Sequence, residues 1–267
     1  MGIYEKATAV TAVGAGMYDA YISEQWTVGV KPQGGYLLGI VARAAADMVG
    51  DSHPHLQAIS SSFLQAPDVG PATVQVDVLR AGRGASQLRA TLLQNDKPCV
   101  DSLLVQGVLD DADAWWTAAT PPDIPDESDC DLMPRSAPGA GFDVPMMDMV
   151  EQRFDPKGMG FTRGEPGHAG TIGGWIRLAD GAAWDPMSLL IPLDPTPPIS
   201  FDMGLAGWAP TMQLSAYIRR LPAPGPVRVF TKSLDIGNDR MDETTYAWDS
   251  KGRLVGQATQ LTGVRTP

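Results

Sequence analysis

Apolar residues recur along the first third of the chain with two different periods, and the change of period marks where a helix gives way to a sheet. Leu37, Val41, Ala44 and Met48 stand at helical spacing after Pro32-Gln33-Gly34-Gly35, with Gly50 as a stop, so the pattern predicts a buried helix over 36–49. Beyond His53-Pro54-His55 the period drops to two. Val74, Val76 and Val78 alternate with Thr73, Gln75 and Asp77, and Leu88, Ala90 and Leu92 alternate with Gln87, Arg89 and Thr91, as expected of half-buried strands. Gly82-Arg83-Gly84 and Asn95-Asp96-Lys97-Pro98 carry turn chemistry between them, and 56–64 adds a strand ahead of Pro67. One helix and about four antiparallel strands make the first unit.

Residues 110–150 break the pattern with Asp110-Asp111, a Thr-Pro-Pro run and a Pro/Gly/Asp-rich stretch through Ala137-Pro138-Gly139, which predicts a linker over the surface. The expected division is therefore 1–110, a linker at 111–149, and a second unit at 150–267. That unit has strand-like 174–178, a short apolar segment at 187–193, and alternating runs at 212–218, 227–234, 244–248 and 254–261. An offset of 154 residues sets Lys97 on Lys251, Gln106 on Gln260, Phe63 on Tyr217 and Ser61 on Ser215, and lays the helix from Gly34 on the segment from Ser188. We read an internal duplication whose two sheets lie side by side.

Composition narrows the function. Hydrophobic residues at 43% and charged residues at 19% describe a globular chain, and Gly 29 with Pro 23 implies many turns and few long helices. Arg43 and Asp47 interrupt the most apolar stretch, so no membrane span is expected, and Met-Gly-Ile-Tyr-Glu-Lys has no secretory pattern, so a cytoplasmic address is expected. Twenty Lys+Arg against 31 Asp+Glu, net −11, disfavours nucleic acid. A local basic rim for one anionic ligand is still compatible with that balance, with Arg80, Arg83, Arg89, Arg219 and Arg220 as its candidates. Cys99 and Cys130 stand in unlike settings, so both are expected as free thiols, and with no Cys/His/carboxylate cluster at ligand spacing neither a metal nor an organic cofactor is expected.

Certain residues carry a resemblance. Trp26, Pro32-Gln33-Gly34-Gly35-Tyr36, Val78-Leu79-Arg80-Ala81-Gly82-Arg83 and Gln94-Asn95-Asp96-Lys97-Pro98 are followed by Ser215-Ala216-Tyr217-Ile218-Arg219-Arg220, Trp248-Asp249-Ser250-Lys251-Gly252-Arg253 and Gln260. In order and spacing this resembles the type II acyl-CoA thioesterase family. The resemblance implies an α+β double hotdog: two tandem helix-wrapped antiparallel sheets forming one continuous sheet. It implies hydrolysis of a fatty acyl-CoA, with acyl-CoA as the small-molecule partner and a homo-oligomer, dimer or tetramer, as the assembly. It places an Asp, a Thr and a Gln that hold and activate water on Asp194, Thr211 and Gln260. Backbone donors near Gly34 and Gly35 are the expected oxyanion and substrate-binding positions.

Plainer readings stand beside these. Asp194-Pro195 is an ordinary turn former, and Pro192 with Pro195 makes the second central segment a poor helix. Gln260 shares parity with Leu254, Gly256 and Ala258 and is expected inward, where a structural hydrogen bond would equally account for it. Thr211 opposes Met212, Leu214 and Ile218 in parity and faces away unless its strand starts irregularly. Gly34-Gly35 fits a tightly packed turn as well as an oxyanion site. His53, His55 and His168 read as solvated loop residues, Trp26, Trp184 and Trp208 as core or rim aromatics, and 158–173 as a mobile segment rather than a phosphate loop. The offset gives Asp194 and Thr211 the counterparts Ile40 and Gln57, so one centre per chain is expected. A non-catalytic acyl-CoA-binding protein and an enoyl hydratase or dehydratase are the alternatives.

Overall fold

Two apolar central segments are each wrapped by strands, and the wrapping sheets meet edge to edge. The protein, seen in a computed structural model, is described over residues 1–136, 142–195 and 197–266; the Ala137-Pro138-Gly139 run named above lies outside the described residues. The chain opens with α1 (Ile3–Ala7) and a hairpin of β1 (Val10–Gly14) and β2 (Met17–Ile22), then a two-residue pair, β3 (Thr27–Val28) and β4 (Lys31–Pro32). The predicted helix follows as α2 (Gly34–Val49). It begins at Gly34 because Gln33, in extended conformation, caps it by accepting the Tyr36 N–H at 2.7 Å, and it ends where Gly50 takes φ of 60°. Strands β5 (His55–Phe63), β6 (Gly70–Ala81), β7 (Ala85–Gln94) and β8 (Lys97–Gly107) wrap it, with Val74, Val76, Leu88, Ala90 and Leu104 buried.

The second unit runs β9 (Asp131–Leu132), β10 (Val150–Phe154), β11 (Thr171–Leu178), α3 (Leu190–Leu193), α4 (Ile199–Asp202), β12 (Thr211–Ile218), β13 (Val227–Lys232), β14 (Ile236–Gly237), β15 (Arg240–Trp248) and β16 (Leu254–Gly263). Its central helix is broken. Pro192 is tolerated inside α3 because the first-turn N–H groups of a helix lack partners anyway, whereas Pro195 stops the chain from continuing.

The strands form one 14-stranded sheet in the order β1-β2-β6-β7-β8-β5-β12-β16-β15-β13-β11-β10-β9, with β14 on β15. The halves join where β5 runs antiparallel to β12, Ser61 opposite Leu214 and Ile59 opposite Ala216. This is the double hotdog that the resemblance implies. The single offset of 154 does not survive in these central strands, however. Ser61 is buried and bonded to Ser102 at 2.8 Å, while Ser215 lies on the other face, bonded to Ser60 at 2.9 Å. Gln106 and Gln260, by contrast, are both buried.

Three other expectations change. The segment 111–149 stays at the surface only in its first part, where Trp115 and Trp116 are exposed; Cys130, Met133, Val144 and Met146 are buried in the core. Residues 156–163 form a 3-10 helix, and the following loop is pinned by buried Asp202, whose carboxylate accepts the N–H groups of Gly167, Ala169 and Gly170. His53 is buried against Ser86 at 2.9 Å rather than solvated. Cys99 and Cys130 are free and buried. No helix among the described residues is long and apolar enough to cross a membrane.

Candidate active site

The broken helix delivers the first polar group. Because the chain turns out of α3 at Asp194, that side chain points back to the start of α2 instead of along a helix surface. Asp194 is buried, and its Oδ2 accepts both the Gly35 N–H and Gln33 Nε2, each at 2.8 Å. Gln33 Nε2 also reaches the Asp194 carbonyl at 3.1 Å. Gln33 thus caps α2 through its oxygen and holds Asp194 through its nitrogen, and both donors from the start of α2 fall on Oδ2 of the carboxylate.

The approach depends on glycine. A Cβ at Gly35 would lie 2.1 Å from the Leu190 carbonyl oxygen, and one at Gly34 would lie 2.7 Å from Asp194 Oδ2. The packed-turn reading of Gly34-Gly35 therefore describes what the pair does. The Gly35 N–H is spent on Asp194, so the oxyanion role expected for Gly35 does not fit; Gly34 lines the cavity.

Strands supply the remaining groups. The register of β12 against β16 shifts between Thr211 and Gln213, and this irregularity swings Thr211 to the inner side despite its parity. Its hydroxyl donates to Gln260 Oε1 at 3.0 Å. Gln260 Nε2 donates to Glu243 Oε2 at 2.5 Å, across the β15–β16 ladder where the two residues are directly opposed. Glu243 Oε1 accepts the Ile199 N–H at 2.7 Å. Asp194, Thr211 and Gln260 therefore come together, and two residues absent from the expected set, Gln33 and Glu243, hold them. Glu243 had a signal: it shares parity with Met241, Thr245 and Ala247, all buried, and a carboxylate on the inner face of a strand calls for a reason.

Burial governs the charges. It pushes the Asp194 carboxyl up to about 6, against the pull of the Gly35 and Gly34 N–H groups and the Thr211 hydroxyl. It pushes Glu243 up to about 7, against the Ile199 N–H and Gln260, with Asp194 and Asp242 adding repulsion.

All five groups border one cavity of about 320 Å³. Leu37 and Phe63 come from the first unit, Met133, Phe142, Val144 and Met147 from the segment 111–149, and Phe201, Trp208 and Met212 from the second unit. Of the three tryptophans considered, Trp208 lines it, while Trp26 and Trp184 are core. None of the five arginines suggested as a rim borders it. Arg89 pairs with Asp101, Arg219 and Arg220 bond to Gln257 and the Ala112 carbonyl, and the turn bearing Arg80 and Arg83 lies at the His55 end of the sheet, opposite Phe63. The cation at the cavity is Lys31, paired with Asp68 at 2.6 Å. No cluster of metal-ligating side chains is found among the described residues.

Comparison with known proteins agrees with this architecture. Residues 22–107 match the family model of the acyl-CoA thioesterase N-terminal domain, and residues 125–264 that of the acyl-CoA thioesterase C-terminal domain. An uncharacterised protein of Mycobacterium tuberculosis is 30% identical over 273 residues, spanning 92% of this chain and 90% of its own. A crystal structure assigned as a thioesterase II from Thermobifida fusca is 28% identical, with a TM-score of 0.88 over 100% of this chain and 98% of that one. A hot dog fold protein of unknown function from Alicyclobacillus acidocaldarius gives a TM-score of 0.85 at 19% identity, over 100% and 99% of the two chains. With a two-part family match in the expected order and a full-length relative at that identity, the chain belongs to the acyl-CoA thioesterase family.

Proposed function

We propose that this chain hydrolyses a fatty acyl-CoA to the free acid and CoA by direct attack of water, with Asp194 as general base. The observation that carries the reading is the placement of Asp194, Thr211 and Gln260 around one largely apolar cavity. A water between them would give one proton toward Asp194 Oδ1 and be fixed by the Thr211 hydroxyl and the Gln260 amide. Its oxygen attacks the thioester carbonyl carbon; the tetrahedral intermediate collapses with cleavage of the C–S bond, and the departing thiolate takes up the proton held by Asp194. No covalent acyl-enzyme forms. Lys31, whose ion pair with Asp68 is solvent-exposed and weak, is free to turn toward a phosphate of the carrier.

One observation favours a second reading, an acyl-CoA-binding protein without turnover: both hydrogen bonds to the Asp194 carboxylate come from the start of α2, as they would to a structural cap. The hydratase or dehydratase reading loses ground because none of His53, His55 and His168 borders the cavity. Release of free thiol from a series of straight-chain acyl-CoAs separates the first two; binding without release across the series selects the second.

The pH dependence follows from the two raised carboxyls. A base must be ionised to act, so kcat/KM should rise with pH through about 6 to about 7 and then level off. Stability runs the other way. Each group's folded value lies above its unfolded one, so its contribution is complete below about pH 4 and disappears as pH rises through about 6 for Asp194 and about 7 for Glu243. Denaturant titrations at several pH values, run beside the rate profile, should show the opposed slopes; a rate that climbs on acidification would remove Asp194 as the base.

A further inference from the structure

Glu243 is buried, ionisable and outside the set of residues that the hydrolytic reading needs. Both of its oxygens face donors: Oε1 the Ile199 N–H at 2.7 Å and Oε2 the Gln260 Nε2 at 2.5 Å. A backbone N–H cannot reverse its role. A side-chain amide can, because its oxygen and nitrogen are nearly the same size. The state of Glu243 therefore chooses which end of the Gln260 amide turns to the cavity.

We infer that Glu243 is a positioning residue: by accepting from Gln260 Nε2 it locks the Gln260 oxygen toward Thr211 and the cavity, and by accepting from Ile199 it ties down the segment that carries Asp194. The inference rests on the hydrolytic reading for its consequence and on hydrogen-bond geometry for its cause. With the oxygen outward, Gln260 and Asp194 both present acceptors, so a water between them is held by its two protons with a lone pair left for the carbonyl carbon. With the amide reversed, an N–H₂ group would compete for that lone pair. One carboxylate reaches both halves of the centre, Ile199 being five residues beyond Asp194 and Gln260 lying on the neighbouring strand.

The groups that face Glu243 are few. Ile199 from α4 and Gln260 from β16 are neutral donors, Asp194 and the adjoining Asp242 are acidic and oppose its ionisation, and Lys31 borders the same cavity. Protonation of Glu243 would let the amide turn over, so the lock works above its titration and opens below it.

Glu243→Gln tests this sharply, because it is isosteric. The Ile199 N–H still needs an acceptor and takes the new amide's oxygen, leaving an N–H₂ group against Gln260 and forcing the Gln260 amide to reverse. With octanoyl-CoA as probe, kcat is expected to fall roughly tenfold to hundredfold, KM to change less than about threefold, and the acid limb to become a single titration. A second readout does not use activity. The Gln260 side-chain N–H₂ resonances, identified by their loss in Gln260→Met, should move through a single transition in an Asp194→Asn background, at a lower pH than with Asp194 present because that neighbour's repulsion is gone, and the transition should vanish when Glu243→Gln is added. A folded Glu243→Gln enzyme with unchanged kcat, or a Gln260 amide indifferent to pH, overturns the inference. If Glu243→Gln does not fold, the amide titration in the chain with Glu243 intact decides alone. If the wild-type chain releases CoA from no acyl-CoA, the hydrolytic reading fails while the resonance test of the lock stands.

Discussion

Asp194→Asn should lower kcat for acyl-CoA hydrolysis by about 10²–10⁴-fold and leave the chain folded. The oxygen of the new amide can keep the place of Oδ2, where the Gly35 N–H and Gln33 Nε2 converge, so the start of α2 retains its acceptor. What disappears is a group able to take a proton. Stability should hold or improve at alkaline pH, because the wild-type carboxyl is ionised there in a site that favours its neutral form. Turnover separates catalysis from capping: a carboxylate that served only as a cap would be replaced by the amide oxygen, with stability kept and turnover, if any, untouched. Thiol release measured beside thermal unfolding reads both, and residual activity within about tenfold of wild type would dismiss Asp194 as the base.

Gly35→Ala is expected to be strongly destabilising. In an ordinary helix, alanine stabilises by about 1 kcal/mol relative to glycine; here the sign reverses. The added carbon would lie 2.1 Å from the Leu190 oxygen, 2.7 Å from the Leu190 carbonyl carbon and 3.2 Å from Asp194 Cβ. Two of these are backbone atoms, and no rotamer change relieves them. α2 and α3, each made largely of buried residues, must move apart. Overpacking of this kind costs about 1–3 kcal/mol and more where backbone must shift, so a fall in Tm of at least about 5 °C is expected, with Asp194 displaced and hydrolysis lost. Gly34→Ala is the control, since its Cβ meets the Asp194 carboxylate and the Phe63 ring instead; activity should suffer with a smaller loss of stability. Wild-type melting of Gly35→Ala would mean that the helices are not pressed together as described.

Much of this fold is legible in the residues, and the reasons differ from element to element. α2 and β6 to β8 announce themselves because a helix against one face of a sheet forces clean periods of 3.6 and two. β1 and β2 do not, because β1 is an edge strand exposed along most of its length and lacks an alternating buried face. Thr211 reads outward by parity and turns inward through a shift of register that only pairing with β16 creates. Asp194 is marked by its prolines and by resemblance, but its bond to the start of α2 is a contact across 159 residues that no local pattern encodes. Glu243 is hidden for a different reason: the prior that carboxylates face water places the start of the strand at 244, just past Glu243, although β15 begins at Arg240. The cavity wall between the units was masked by composition, since a stretch rich in Pro, Gly and Asp reads as solvent-facing even where Met133, Val144 and Met147 turn inward.

The seam between β5 and β12 has a consequence for how such a chain can be divided. The acid, the hydroxyl and the amide belong to the later half, but the donors that grip the acid are on Gln33 and Gly35 of the earlier one, so neither half holds a finished centre. Cutting within 110–125 would also strip each fragment of its neighbour along β5 or β12, baring a row of unsatisfied N–H and C=O groups. Such fragments should behave as complementary parts, insoluble or self-paired when made alone and regaining a shared centre when mixed, which makes covalent tethering of the two copies a safeguard against wrong partners as much as a means of building the site.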